Sequence, residues 1–210
     1  KSHLWGFGLT EETAGCDSRG TKSTARREGD KWILSGSKIF ITNAATAMTL
    51  GSTVQVISGE KDGKPEFTTF LMENDTPGFS QEPMNGKMMW RASNTGRLTF
   101  NKVELSNENM LGAPGQGSHI MLATLDGGRL SIAAMALGCA QGAYEMALDY
   151  SKKREQFGKP ISKFQAVSFK LADMAMKIES ARCLLYKACR VKDAGQPFGK
   201  EAAMAKLYCS

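Results

Sequence analysis

The chain has 210 residues, 41% of them hydrophobic and 23% charged, which is typical of a globular protein and unlike a disordered one. The formal charge is +6, but only 8% of the residues are aromatic, which disfavours nucleic-acid binding. The simpler interpretation of the charged residues is a solvated surface. Two histidines and five cysteines without a Cys-x-x-Cys pair predict no metal site and favour reduced thiols in a cytoplasm-like compartment. The apolar, uncharged stretch Leu130–Tyr144 has fifteen residues, too few to cross a bilayer, so we expect no membrane span.

Short β-type runs alternate with turn signals in the first half of the chain. Ser35-Gly36-Ser37 and Asp62-Gly63 are predicted turns between strands. Many short strands at this spacing predict an antiparallel β-barrel or sandwich. The predicted strands are Lys31–Leu34, Lys38–Thr42, Thr53–Ser58, Glu66–Met72 and Arg97–Leu105.

Helical patterns dominate the second half. The first predicted helix runs from Gly117 to about Lys153, and Phe157–Pro160 breaks the chain after it. Ser162, with Gln165 three residues on, predicts a capping box for the second helix, and a third begins near Lys200. The second helix carries an apolar stripe made of Phe164, Val167, Leu171, Met174, Ile178 and Leu185.

These patterns predict an α+β protein with two domains. A β-domain is expected over residues 1–112, and the first part of an up-down helical bundle over residues 113–210. Two or three helices cannot surround a bundle core alone, and the third pattern still continues at Ser210. We therefore expect the bundle to be truncated.

Several short motifs follow one another in the chain. The turn formed by Ala14-Gly15-Cys16-Asp17 contains small residues, which let backbone N–H groups approach a flat ring or an anion. Each motif alone is a weak signal, but their order and spacing resemble the acyl-CoA dehydrogenase family over the whole chain. The motifs are Leu9-Thr10-Glu11, Ala14-Gly15-Cys16-Asp17, Gly36-x-Lys38-x-Phe40-Ile41-Thr42-Asn43, Asp75-Thr76-Pro77-Gly78, and Lys153–Ile161 followed by Phe164-Gln165.

The resemblance implies the middle β-domain and the start of the C-terminal helical bundle of an FAD-dependent enzyme. Such enzymes oxidise the Cα–Cβ bond of an acyl-CoA thioester to the trans-2-enoyl-CoA. A carboxylate removes the α proton while a hydride passes from Cβ to the flavin. Two alternatives stay open at this point: an acyl-CoA oxidase of the same architecture, and a non-catalytic scaffold or binding module.

The resemblance also assigns residues to FAD and to the substrate. Thr42 is implied to lie near flavin N5, and Cys16 occupies a position where the family usually has serine. The implied FAD contacts are Phe7, Leu9, Thr10, Cys16, Phe40 and Thr42, with Arg154, Phe157 and Gln165 reaching the FAD of a neighbouring subunit. Asp126 and Arg129 match positions near the acyl-CoA.

The catalytic base implied by the family is not identified in this chain. Some members carry a glutamate immediately before the arginine matched by Arg129, but Gly128 stands there, and glycine has no proton-accepting side chain. We therefore expect the base beyond Ser210 and expect the 210 residues alone not to oxidise acyl-CoA. The resemblance further implies an electron-transfer acceptor protein, a homotetramer for the full-length enzyme, and a cytoplasmic location, or the mitochondrial matrix in a eukaryote.

Overall fold

A computed structural model describes residues 3–210, which form two compact units, residues 3–122 and 123–210. The first unit contains a β-sheet and the second is helical. The strands are β1 (Leu4–Gly8), β2 (Thr24–Glu28), β3 (Lys31–Thr42), β4 (Thr49–Lys61), β5 (Lys64–Glu73), β6 (Phe79–Pro83), β7 (Thr95–Ser106), β8 (Met110–Leu111), β9 (Glu155–Gln156) and β10 (Lys159–Pro160). The helices are α1 (Gly117–Lys153), α2 (Gln165–Asp193) and α3 (Gly199–Cys209).

Eight strands form one mixed sheet in the first unit. Its order is β6-β7-β3-β2-β4-β5-β8, and β1 pairs with β4 outside this path. Most pairs are antiparallel, but β1 and the start of β2 run parallel to β4. The predicted α+β class is confirmed. The sequence predicts a sheet that is antiparallel throughout, but the sheet is instead mixed. A parallel pair requires a long crossover, which the β2–β3 hairpin supplies between β1 and β4.

β3 is one continuous strand and not the two strands predicted from its sequence. The expected turn at Ser35–Ser37 is a bulge, where the register with β7 shifts between Leu34 and Gly36. Gly36 has a φ of +141°, and a Cβ added there would lie 2.7 Å from the Cα of Ser23. Ser-Gly-Ser suits a bulge as well as a turn, and pairing of both halves with β7 selects the bulge.

The other strong turn prediction in the β-unit is confirmed. Asp62 and Gly63 connect β4 and β5, with positive φ angles of 52° and 71°. Aspartate and glycine tolerate this left-handed conformation, which matches the twist of the flanking strands. The core of the unit is formed by side chains from these and neighbouring strands, including Leu34, Val54, Val56, Phe70, Met72 and Leu98.

The helical unit follows the predicted order of three helices. The core of this unit contains Leu130, Ala133 and Leu137 of α1, Ile178, Ala181, Leu185 and Ala188 of α2, and Ala202 and Ala205 of α3. The predicted stripe is confirmed at Leu171, Ile178 and Leu185, which are buried, whereas its first member, Phe164, precedes α2. Many of the contacts involve alanine, whose small side chain allows close approach of helix backbones.

The predicted cap of α2 is wrong. Ser162 lies inside a 3₁₀ turn over Ile161–Lys163, and α2 begins after Phe164 with no side-chain cap hydrogen bond. The carbonyl of Phe164 accepts the N–H groups of Val167 and Ser168, each at 2.9 Å. The 3₁₀ turn therefore absorbs the predicted capping residue and moves the helix start two residues on.

α1 is longer than its uncharged segment Leu130–Tyr144. It has 37 residues and contains an 18-residue window of mean hydropathy 1.4, so length and composition alone would let it cross a membrane. The uncharged stretch Leu130–Tyr144 alone is too short to cross a bilayer, but a membrane-spanning segment can include one or two charged residues. The expectation based on the length of that stretch is therefore corrected. A core helix of a helical bundle passes the same test.

Substitution of Gly36 tests the bulge in β3. Gly36→Ala is expected to lower the free energy of unfolding by about 2–4 kcal/mol, because it adds left-handed strain and a clash with Ser23. Urea denaturation measures the effect. Gly15→Ala is the matched control, since a Cβ there meets no atom within 4 Å and Gly15 has no positive φ. Equal stability of the two variants would contradict the packing of the bulge.

Candidate functional site

The segment that follows β1 lies beside the second half of β3. The N–H of Ile39 donates to the carbonyl of Thr10 at 2.8 Å. A Cβ on Gly6 would lie 3.2 Å from a methyl group of Ile41, so the two segments run antiparallel. Gly6 and Gly8 face the core, and the alternation of a strand turns Phe7 to the outside.

A second bulge turns the side chain of Phe40 out of the sheet. The register of β3 with β7 shifts again between Lys38 and Ile41. Phe40 lies in this interval with a φ of +61° and a side chain that is 62% exposed. Phenylalanine rarely adopts positive φ, and strain of this kind costs on the order of 1–3 kcal/mol and clusters at functional sites. Thr42 is also exposed, two residues further on at the end of β3.

Residues from the β1 segment and β3 therefore share one outer face, which we call the β1–β3 face. We assign to it the half-buried side chains of Phe7 and Thr10 and the exposed side chains of Phe40 and Thr42. Within residues 3–210, neither hydroxyl takes part in a hydrogen bond. Leu9 is buried at 8% exposure and contributes backbone to this face. Rings beside free hydroxyls suit a flat ligand with a polar edge.

A buried ion pair lies directly behind the β1–β3 face. Lys38 is fully buried, and its Nζ donates to Glu11 Oε1 at 2.7 Å and to the carbonyl oxygen of Leu9 at 3.2 Å. Glu11 also accepts the N–H of Lys22 at 2.7 Å and that of Ser23 at 3.2 Å. The carboxylate thus joins the β1 segment to the residues that lead into β2.

The sequence motifs that contain Glu11 and Lys38 predict no individual role for either residue. A regular strand alternation would place Lys38 on the outer face with Phe40 and Thr42. The bulge between Lys38 and Ile41 reverses this orientation and buries the lysine. The sequence does show that one motif contains an acidic residue and another a basic residue. That the two side chains pair with each other depends on the tertiary structure.

The environment of the pair shifts both pKa values. Burial of the Glu11 carboxyl would raise its pKa, but hydrogen bonds from Lys38, Lys22 and Ser23 outweigh burial and hold the pKa below its ordinary value. Burial lowers the pKa of the Lys38 ammonium, and its bond to Glu11 restores only part of that loss. The pair is therefore a carboxylate and an ammonium that depend on each other.

A tight turn follows the buried carboxylate. The N–H of Glu11 donates to the carbonyl of Ala14 at 2.9 Å, and the N–H of Ala14 donates back at 3.2 Å. Cys16 is exposed just after this turn, and the side chain of Asp17 accepts the N–H of Arg19 at 3.2 Å. The hydrogen-bonded turn thus spans Glu11–Ala14 and directly precedes the predicted turn Ala14-Gly15-Cys16-Asp17, where the chain bends at Gly15 and Cys16.

A separate group of predicted residues surrounds the β9–β10 hairpin in the helical unit. Phe157 at its tip is 91% exposed, has a φ of +52°, and contacts the ring of Phe164 edge-on with centroids 6.1 Å apart. The carbonyl of Arg154 accepts the N–H of Ile161 at 2.8 Å and closes the hairpin. Among the described residues no carboxylate pairs with the Arg154 guanidinium, and Gln165 is exposed at the start of α2.

The two predicted substrate residues are paired with each other. Arg129 and Asp126 form an ion pair one helical turn apart on α1, and both are partly exposed. The carboxylate of Asp126 lies against Gly199 at the start of α3. Gly128 beside them is exposed with open space around it, so no carboxylate stands at this position.

A metal site requires a group of ligating side chains that lie close together. Within residues 3–210, no group of three or more His, Cys, Asp or Glu side chains could hold a metal ion.

The chain combines a β-unit, which has a face with aromatic rings and hydroxyls, with three helices that follow it. This combination matches the class of flavin-dependent dehydrogenases that have a β-domain and a helical bundle. The family model of the acyl-CoA dehydrogenase middle domain matches residues 6–103, and that of the C-terminal domain matches residues 115–210. The chain belongs to the acyl-CoA dehydrogenase family, whose enzymes are FAD-dependent oxidoreductases of fatty acid metabolism.

Individual relatives agree with this family. A probable acyl-CoA dehydrogenase of Bacillus subtilis is 47% identical over 208 residues, and the short-chain specific acyl-CoA dehydrogenase of Megasphaera elsdenii is also 47% identical over 208 residues. Each match covers 99% of this chain and 54% of the relative. The chain thus spans about half the length of the curated relatives it matches.

Solved structures are similar over the same region. The butyryl-CoA dehydrogenase from Megasphaera elsdenii superposes with a TM-score of 0.92 at 45% identity, covering 99% of this chain and 54% of that one. A chain from a structure described as an electron transferring flavoprotein of Acidaminococcus fermentans gives a TM-score of 0.92 at 46% identity, with the same coverage.

The residues of the β1–β3 face fit the isoalloxazine ring of FAD. Phe40 is held outward at positive φ, and the hydroxyls of Thr10 and Thr42 are free of protein partners within residues 3–210. A planar ring with a polar edge would use both features. The fit rests on these side chains and agrees with the cofactor of the family.

Removal of the Glu11 carboxylate tests the buried pair. Glu11→Gln is expected to lower the free energy of unfolding at pH 7 by about 3–5 kcal/mol, because the Lys38 ammonium stays buried without its partner. Glu11 stabilises the fold at pH values above its unfolded pKa, and this contribution is lost as pH falls through the lowered folded pKa. The difference between variant and wild type should therefore shrink in acid.

Urea denaturation at pH 7, 5 and 3 measures both effects. Glu104→Gln is the control, since Glu104 pairs with Lys31 at the surface and screening by water makes such pairs weak. A difference for Glu11→Gln that stayed constant down to pH 3 would contradict the shifted carboxyl.

Proposed function

We propose that the full protein is an FAD-dependent acyl-CoA dehydrogenase that oxidises the Cα–Cβ bond of an acyl-CoA thioester to the trans-2-enoyl-CoA. Family membership supports this proposal, and the observation that carries it is the β1–β3 face with its outward Phe40 and free hydroxyls. Relatives named as short-chain specific favour a short acyl chain.

The residues of the β1–β3 face bind and orient the flavin ring. Phe7 and Phe40 cover the ring and exclude water, and the hydroxyls of Thr10 and Thr42 donate hydrogen bonds to its polar edge. Bound FAD supplies the acceptor for the hydride that leaves the substrate Cβ. Cys16 places a small polar side chain beside the same segment.

The hairpin residues serve a second part of the cofactor. An arginine fork suits a pyrophosphate, and the Arg154 guanidinium has no carboxylate partner among the described residues. Phe157 and Gln165 are exposed near it and extend the contact toward the FAD of a neighbouring subunit. FAD bound across a subunit boundary would stabilise the oligomer, which we propose to be a homotetramer.

The substrate is positioned by the charged pair on α1. Asp126 and Arg129 offer hydrogen bonds of both kinds to the acyl-CoA, and Gly128 leaves space beside them. The base that removes the α proton comes from a part of the protein other than position 128. An electron-transfer acceptor protein reoxidises the enzyme, which acts in the cytoplasm or, in a eukaryote, in the mitochondrial matrix.

An assay of the full-length protein tests this function. With FAD and butyryl- to palmitoyl-CoA, we expect anaerobic reduction of an electron-accepting dye, fastest with short chains. Stoichiometric peroxide from O₂ would instead identify an acyl-CoA oxidase of the same architecture. No flavin binding and no turnover would overturn both enzymes and leave a scaffold or binding module.

Loss of the Thr42 hydroxyl is expected to slow flavin reduction without unfolding the protein. Thr42→Val removes one preorganised donor, which costs roughly 2.7–4 kcal/mol of barrier where no substitute exists and less where water replaces it. We expect reduction by substrate to slow by about tenfold or more in stopped-flow measurements. Thr24→Val, at an exposed position of β2, is the control. Reduction at the wild-type rate would remove Thr42 from the site.

Reversal of charge at Arg154 is expected to weaken FAD retention and oligomerisation together. Arg154→Glu puts a carboxylate beside the proposed pyrophosphate. Bound-flavin absorbance and sedimentation velocity measure the two effects. Lys152→Glu makes the same charge change two residues away at the end of α1 and is expected to alter neither. An Arg154 variant with full flavin and full mass would limit the residue to neutralising the helix end.

A further inference from the structure

The buried pair of Lys38 and Glu11 demands an explanation beyond stability. Lys38 is fully buried and Glu11 is 7% exposed, so both charges lose most of their hydration. Replacing a buried ion pair by apolar side chains is often neutral or stabilising, so such a pair is weak support for stability by itself. Its hydrogen bonds instead point to the segment that contributes backbone to the β1–β3 face.

Two neighbouring carbonyls of that segment are held by β3. The ammonium of Lys38 binds the Leu9 carbonyl oxygen at 3.2 Å, and the N–H of Ile39 binds that of Thr10 at 2.8 Å. Consecutive donors on β3 thus fix consecutive peptide units beside it. A backbone held at two successive carbonyls has little freedom to rotate.

Peptide geometry then sets the direction of the Thr10 N–H. The Leu9–Thr10 peptide is trans, because the described residues contain no cis bond. In a planar trans peptide the C=O and the following N–H point in opposite directions. The Leu9 carbonyl points at Lys38, so the Thr10 N–H points away from it. Within residues 3–210, no hydrogen bond is donated by this N–H.

Glu11 fixes the position of the ammonium. Its two carboxylate oxygens also accept the N–H groups of Lys22 and Ser23, so two backbone hydrogen bonds hold them in place. Lys38 itself lies between the bulges at Gly36 and Phe40. The pair therefore links the backbone of the β1 segment to the strand that carries Phe40.

We propose that Lys38 and Glu11 are positioning residues for the cofactor, which turn the Leu9–Thr10 peptide so that the Thr10 N–H is presented to the polar edge of the bound flavin. This inference rests on the proposed FAD site and adds to it a pair that lies behind the ring. Neither side chain touches the cofactor. Their effect passes through one peptide unit.

The test compares FAD binding by variants of the full-length enzyme. Lys38→Met keeps an unbranched side chain that is one heavy atom shorter and removes the charge and the donors. We expect it to raise the FAD dissociation constant about tenfold or more, because one hydrogen bond to the cofactor is lost. We also expect the visible spectrum of bound flavin to shift. Lys31→Met is the control, since Lys31 lies on the same strand as Lys38 but forms an exposed pair with Glu104 of β7. Its FAD dissociation constant and flavin spectrum are expected to match those of wild type.

A double variant separates positioning from folding. Lys38→Met alone leaves the Glu11 carboxylate buried, so its stability falls and it can fail to fold. Glu11→Gln combined with Lys38→Met removes both charges and is expected to recover thermal stability. We expect this double variant to remain weak in FAD binding, since no ammonium holds the Leu9 carbonyl.

Two results would overturn the positioning role. One is a folded Lys38→Met variant with wild-type FAD affinity and an unchanged flavin spectrum. The other is a double variant that regains affinity together with stability, which would reduce the pair to a structural role. In both cases FAD binding and turnover by wild type and Lys31→Met would leave the proposed function standing. Wild-type protein that bound no FAD would overturn the function and the positioning role together.

Discussion

The ion pair of Lys38 and Glu11, buried behind the β1–β3 face, links the three segments that form this part of the β-unit. Lys38 lies in β3, donates to the Leu9 carbonyl at 3.2 Å, and pairs at 2.7 Å with Glu11, whose carboxylate accepts backbone N–H groups near Ser23. A buried charge without its partner is costly, so these bonds form together or not at all. This coupling sets the arrangement of the outer face.

Two bulges in β3 make that arrangement possible. The first, at Gly36, needs a conformation that glycine adopts easily and brings the backbone against Ser23. The second places Phe40 at positive φ and turns its ring outward while Lys38 turns inward. Strain at Phe40 persists because the ion pair and the pairing with β7 hold the strand on both sides. The strained residue is also the most exposed aromatic ring of the proposed flavin face.

The helical unit presents its functional residues in a different way. Its core uses alanines such as Ala133, Ala181 and Ala202, which let helices pack closely. Phe157 is almost fully exposed at the tip of a two-stranded hairpin, and Phe164 supports its ring. The exposure and positive φ of Phe157 agree with the proposed contact to cofactor or to another subunit.

The family, the α+β class and the three helices could be predicted from the sequence, because motif order, residue type and helical periodicity are local properties. The Asp62-Gly63 hairpin was predictable for the same reason. The bulge at Gly36 and the start of α2 after Phe164 were not, since Ser-Gly-Ser and Ser162 suit more than one local structure and pairing with neighbours selects between them. The burial of Lys38 could not be predicted from the sequence. Strand alternation predicts an outward lysine, and the register of β3 against β7 turns the side chain toward Glu11. The sequence by itself thus determined which residues could serve the site, and the tertiary structure decided which way they face, because side-chain direction in a bulged strand depends on non-local hydrogen bonds.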